Sequence, residues 1–150
     1  MKKFELFLGG TFVLGRIFAV FDVALPNFLT LMSGSVLYLF YFLFSFYLLN
    51  GKTWGDIFRK ATYKNAEVYQ SVMSILAGIF LSAFVYGTLS IVMHWTTSRI
   101  NFFTHIGFIT LITLALLFGL KKEKYKKFAK QNLIRIVVVL LIGITSVILL

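Results

Sequence analysis

No cysteine occurs anywhere in these 150 residues, so disulfides, thiol redox chemistry and cysteine metal sites are all excluded. Acid is scarce too: five Asp and Glu stand against fifteen Lys and Arg, with two His. The chain therefore has no paired buried carboxylates for acid–base chemistry. Ser-His-Asp sets of workable sidedness, a phosphate-binding loop and a His-x-x-x-His pair are missing as well. Proline occurs once, at Pro26, and neither a low-complexity linker nor a shift in composition marks a domain boundary. The expectation is one domain over residues 1–150, with no cofactor and no metal, leaning away from an enzyme.

What the chain has in abundance is apolar surface. Hydrophobic residues make up 59% of it and the mean hydropathy is +0.91, more than a soluble domain of this length could bury, so lipid must be its solvent. The apolar residues fall into five stretches, predicting an all-α, polytopic membrane bundle with spans at about 4–25, 28–49, 71–93, 102–120 and 133–150. Pro26-Asn27 and Asn50-Gly51 are turn signals between them. Thirteen of the fifteen cations lie at Lys2 and Lys3, at Lys52 to Lys64, and at Lys121 to Arg135, alternating with these stretches. The segments on the other side hold only Arg99, so the positive-inside rule places the amino terminus in the cytoplasm and the carboxyl terminus outside. Met1-Lys2-Lys3 resembles a signal-peptide start, but no small-residue cleavage site precedes the next span, and the segment reads as a retained first helix. A net charge of +10 would suggest nucleic acid in a soluble chain; here the topology accounts for most of it and no nucleic-acid partner is expected.

The two basic connections carry apolar residues of their own. Trp54, Ile57, Phe58 and Ala61 recur at helical spacing while Asp56, Arg59, Lys60 and Lys64 fall elsewhere, predicting an amphipathic helix at the interface between spans two and three. Thr53 and Asp56 stand at the spacing of a helix start. Tyr125, Phe128 and Ala129 form a narrower stripe among six lysines. Anionic lipid headgroups are the expected contact for Lys52, Arg59, Lys60, Lys64, Lys121, Lys122, Lys124, Lys126, Lys127 and Lys130. Recognition of an anionic substrate is the other reading of the same charges.

Within the spans, Ser71, Ser74, Gly78 and Ser82 lie on one strip of span three and Gly87 on a second, which lets neighbouring helices approach its backbone. Packing inside the bundle is one use of that strip and a seam between two copies is the other. Leu89 falls off the strip and serves as the tolerant comparison. Arg16 sits mid-span, where a cation costs about 2.5–3.5 kcal/mol and must pair, face a cavity or mark a pathway. Asp22, six residues on, lies about 240° around an ideal helix and about 9 Å along it, so the two do not pair within one helix. His94, Arg99 and His105 are polar candidates at the outer face, and two histidines so placed are interfacial residues before they are ligands.

Arg16-Ile17-Phe18-Ala19-Val20-Phe21-Asp22 resembles the first-helix Arg…Ala…Asp signature of the RDD family of small membrane proteins. Asn50-Gly51-Lys52-Thr53-Trp54-Gly55 is similar to that family's cytoplasmic Thr-x-Gly-Lys segment. The resemblance implies a compact helical membrane protein, some relatives being linked to cation/proton exchange, and a transporter using Arg16 and Asp22. The residues themselves favour a non-enzymatic accessory or assembly subunit of a larger membrane complex, partnered by the bilayer and by another membrane protein or a second copy. An intramembrane enzyme or lipid-handling protein is the third class. Whether Arg16 and Asp22 line a cavity or are sealed by neighbours separates the first two.

Overall fold

The computed structural model describes residues 1–20, 26–59, 67–93 and 98–148, with side chains at all of these except 19–20, 26–27 and 98–104. Most of the described residues are helical and none is in a strand: α1 (Lys2–Val20), α2 (Pro26–Leu49), a short 3₁₀ helix (Trp54–Phe58), α3 (Val68–Val92), α4 (Ser98–Leu120) and α5 (Glu123–Ile148). Three of these helices are long and apolar enough to cross a membrane, namely Phe28–Leu49 within α2, Val68–Val92 and Glu123–Ile148. In α4 the described apolar stretch is His105–Leu120, which is shorter. In α1, Lys2, Lys3, Glu5 and Arg16 interrupt the apolar run.

The helix ends follow local chemistry. Proline's fixed φ suits the first turn at which α2 begins. At the other end Gly51 adopts φ +67°, and the amides of Gly51 and Lys52 bond the carbonyls of Leu48 and Tyr47 at 3.2 and 2.8 Å. That is a Schellman ending, which needs a residue free to enter the left-handed region. Asn50 Nδ2 donates to Phe46 O at 2.7 Å and to Ser74 Oγ at 2.9 Å, tying this turn to α3.

The connection after α2 differs from the expected amphipathic helix. Among its described residues it forms a five-residue 3₁₀ turn, which stops at Arg59 because that residue is extended (φ −96°, ψ 114°). Ala61, Lys60 and Lys64 lie outside the described residues. Thr53 and Asp56 do start that turn: the Thr53 amide and hydroxyl each donate to Asp56 Oδ2 at 2.8 Å. Trp54 packs on Phe4, Phe40 and Phe44, with ring centroids 6.1, 5.9 and 5.2 Å away, while Phe58 is 91% exposed.

The last helix also differs. The stretch Glu123–Asn132, expected as a connection, is continuous with the final apolar segment, so α5 starts ten residues before 133. The Tyr125, Phe128, Ala129 stripe is thereby the first inward face of α5. Tyr125 packs against Tyr69 with centroids 4.4 Å apart and the rings tilted by 31°, and Phe128 and Ala129 are buried.

Helix α3 is central, packing against α2, α4 and α5. A Cβ added to Gly78 would overlap the Ser45 side chain and stand 2.9 Å from the Tyr41 carbonyl oxygen, so glycine there sets how closely α2 approaches. Gly143 plays the same part in α5, where a Cβ would run into the Phe84 ring and reach 3.0 Å from Thr88 Oγ1. The tolerance expected of Leu89 is corrected: it is 2% exposed, and its Cδ1 lies 3.0 Å from where a Gly34 Cβ would sit. Toward its carboxyl-terminal end α3 is buried on most sides, Phe84, Val85, Gly87, Thr88, Leu89 and Ser90 all being covered while Tyr86 is 44% exposed, so Leu89 lies on the packing face.

Candidate functional site

Two polar contacts join α1 to α5. Near the start of α1, Glu5 Oε1 pairs with Arg135 Nε at 2.9 Å, with side chains 11% and 14% exposed. Three turns on, Arg16 Nη2 donates to the Ser146 carbonyl at 3.3 Å. Glu5 to Arg16 and Arg135 to Ser146 are both steps of eleven residues, which return to within about 20° of the same helix face after about 16 Å of rise. The two helices therefore lie parallel and in register, clipped at two levels.

The lower clip is a network. Tyr41 of α2, 1% exposed, donates its hydroxyl to Glu5 Oε1 at 2.7 Å. Arg135 Nη1 bonds the Leu48 carbonyl and Asn132 Oδ1, both at 3.3 Å. Asn132, 1% exposed, donates from Nδ2 to the carbonyls of Leu49 at 3.2 Å and Phe128 at 3.0 Å. The last carbonyls of α2 have no partner within their own helix, and Asn132 and Arg135 bond two of them. A buried carboxylate is thus neutralised by a guanidinium and held by a phenol, an arrangement that orients charge without leaving it uncompensated.

The upper clip is far less complete. Arg16 is 5% exposed, yet it makes that single long bond and its Nε is buried without a partner. Among the described residues no carboxylate pairs with it. Asp22 lies outside them.

Between the clips α1 and α5 stand apart. A cleft of about 410 Å³ opens there, with Lys2, Glu5, Gln131 and Arg135 at one end and Gly9, Gly10, Val138, Val139 and Ile142 deeper in. A Cβ added to Gly9 or Gly10 would meet nothing within 4 Å, so both glycines face open space. The cleft continues past Gly9 into a chamber of about 50 Å³ whose far wall is Thr88 and Gly143.

The other sequence candidates are scattered. His105 borders a separate cleft of about 430 Å³ with Tyr38, Phe42, Ser82 and Tyr86, and its Nδ1 is buried without a partner. His94 lies outside the described residues, as does the side chain of Arg99. Ser74 and Ser82 are buried on α3 and bond the carbonyls of Gln70 and Ile79, Ser71 is half-buried, and Gly87 is buried. Of the surface cations, Lys124 pairs with Glu67 at 2.9 Å, Lys126 with Glu123 at 2.8 Å and Arg59 with Asp56 at 4.0 Å. Lys121 stands 5.3 Å over the Phe118 ring, while Lys52, Lys122, Lys127 and Lys130 are exposed. Among the described residues no group of three His, Asp or Glu could hold a metal ion.

Sequence reasoning missed Glu5, Tyr41 and Asn132, and counted Arg135 only as a topology charge. A signal was present: a lone glutamate in the first apolar helix, eleven residues before Arg16, shares its face. No protein-family model matches the chain, and no curated protein or solved structure matches it either.

Proposed function

We propose that this chain is a five-span integral membrane protein, amino terminus in the cytoplasm and carboxyl terminus outside, acting as a non-enzymatic accessory or assembly subunit of a larger membrane complex. The observation that carries the reading is Arg16: it is 5% exposed beside α5, and the described residues offer it one carbonyl at 3.3 Å and no carboxylate. A cation held that way costs stability, and a carboxylate or carbonyls of a partner packed over that end of α1 would supply what the described residues leave out. The parallel run of α1 and α5 supports an odd number of crossings between their starts and ends, since equal direction is what spans one and five would have.

Purification in a gentle detergent should recover a second membrane protein in fixed ratio with the chain. Arg16→Leu should insert normally and lose that partner. Reporter fusions after Pro26, Asn65, Arg99 and Lys126 should alternate in sidedness, and an even count of crossings would overturn the five-span reading. The rival is a small ion or solute transporter using Arg16 and Asp22, as the RDD resemblance implies. A chain that purifies alone and carries ion flux in proteoliposomes would establish that rival.

A further inference from the structure

We infer that the cleft between α1 and α5 is a binding site for one anionic phospholipid, drawn from the leaflet that borders the amino-terminal end of α1. Three features carry this. The first is shape: along α5 the cleft runs from Gln131 to Ile142, about 16 Å of helix, roughly half of a hydrocarbon core about 30 Å thick and so the depth of one leaflet. The second is polarity along that length. The charged groups and Gln131 stand at one end, and apart from Tyr41, whose hydroxyl is bound to Glu5, the remaining wall is glycine and branched aliphatic side chains, the polarity of a lipid with its headgroup at the surface and a chain pointing to the midplane. The third is access, since Leu6, Ile134 and Val138 on the rim are 73%, 57% and 46% exposed and face the side from which a lipid would enter.

Charge decides which lipid. Glu5 and Arg135 cancel each other, so the balance at the mouth is set by Lys2, with exposed Lys127 and Lys130 on the preceding turns of α5. Among the described residues no bond uses Arg135 Nη2, because Nε goes to Glu5 and Nη1 to Leu48 and Asn132. Lys2 and Arg135 Nη2 are then the donors for a phosphate, and Gly9 and Gly10 leave the space that an acyl chain fills. A zwitterionic headgroup would bring its own cation to a mouth that is already positive.

The test reads lipid, not function or topology. The full chain is reconstituted in nanodiscs of equal phosphatidylglycerol and phosphatidylcholine in both leaflets, released, and weighed by native mass spectrometry. The expected result is one retained phosphatidylglycerol per chain. Gly9→Leu, where an added Cβ meets nothing within 4 Å, projects into the cleft and should lose the lipid; Gly107→Leu, with the same open space at its Cβ but on α4, should keep it. Lys2→Gln should weaken retention about fivefold, the loss of one surface cation at about 1 kcal/mol. Equal retention of phosphatidylcholine, no retained lipid in the parent chain, or unchanged retention in Gly9→Leu would each overturn the proposal. If Gly9→Leu does not fold, Gly10→Leu is read the same way. The assay is blind to partner proteins and to which side is cytoplasmic, so its failure is distinct from failure of the subunit reading.

Discussion

Replacing Glu5 by leucine should destabilise the bundle by about 3–5 kcal/mol, most of it the cost of leaving the largely covered Arg135 guanidinium without its counter-charge. The gross attraction is large: at 2.9 Å and an effective dielectric near 20 it is about 6 kcal/mol. Desolvating two side chains that are only 11% and 14% exposed offsets most of it, so the intact pair contributes little relative to an apolar replacement of similar size. The single change is costly because the guanidinium remains. It also strands the Tyr41 hydroxyl, whose acceptor at 2.7 Å disappears, and about 1–3 kcal/mol of the total is that unpaired polar burial. Arg135→Met should be similarly damaging and additionally removes the side-chain bond to the Leu48 carbonyl, which keeps the Gly51 amide. Glu5→Leu combined with Arg135→Met removes both charges and should be milder than the sum of the two, with a coupling of at least about 2 kcal/mol. Steric-trapping unfolding in bicelles measures all four corners of that cycle. Additivity within about 0.5 kcal/mol would refute the idea that this pair is one energetic unit.

Gly78→Leu should lower thermal stability in detergent by the equivalent of about 1–3 kcal/mol or more, because its side chain would displace Ser45 and the α2 backbone, whereas Gly107→Leu should be silent; equal effects would remove α3 from its central packing role. Gly143→Leu should behave like Gly78→Leu, and a tolerated leucine there would mean that α5 does not pack on Phe84 as described. Asp56 is held below the usual carboxylate range, first by the Thr53 amide and then by its hydroxyl. A carboxyl depressed in the folded state contributes stability above its unfolded pKa, and that contribution is lost as pH falls through the folded value. Amide NMR of Thr53 and Trp54 should accordingly show the 3₁₀ turn ordered at neutral pH and loosened by acid, and an identical acid response in Asp56→Asn would rule that cause out.

The apolar runs and their turn residues determined most of the secondary structure on their own. Asn50-Gly51 ends α2 because only a left-handed residue closes that turn, and Thr53 with Asp56 opens the next element, both matters of a few neighbouring residues. The reach of α5 through Glu123–Asn132 was less legible, since six lysines read as a solvated connection until Tyr69 of α3 is placed against Tyr125. Periodicity likewise puts Glu5 and Arg16 on one face of α1, but it cannot say which helix covers that face. The answer lies 130 residues away in both contacts, with Arg135 and with Ser146, and no local pattern spans that distance. Leu89 makes the same point for packing: its angle from the small-residue strip suggests tolerance, and burial against α2 removes it. The reason is common to all three. Sequence determines where each helix begins, ends and turns its apolar side, because those depend on hydrogen bonds and burial within a few turns. Partner faces, the gap beside Gly9 and Gly10, and the compensation of buried charge depend on how whole helices are arranged around α3, and only the tertiary structure decides that.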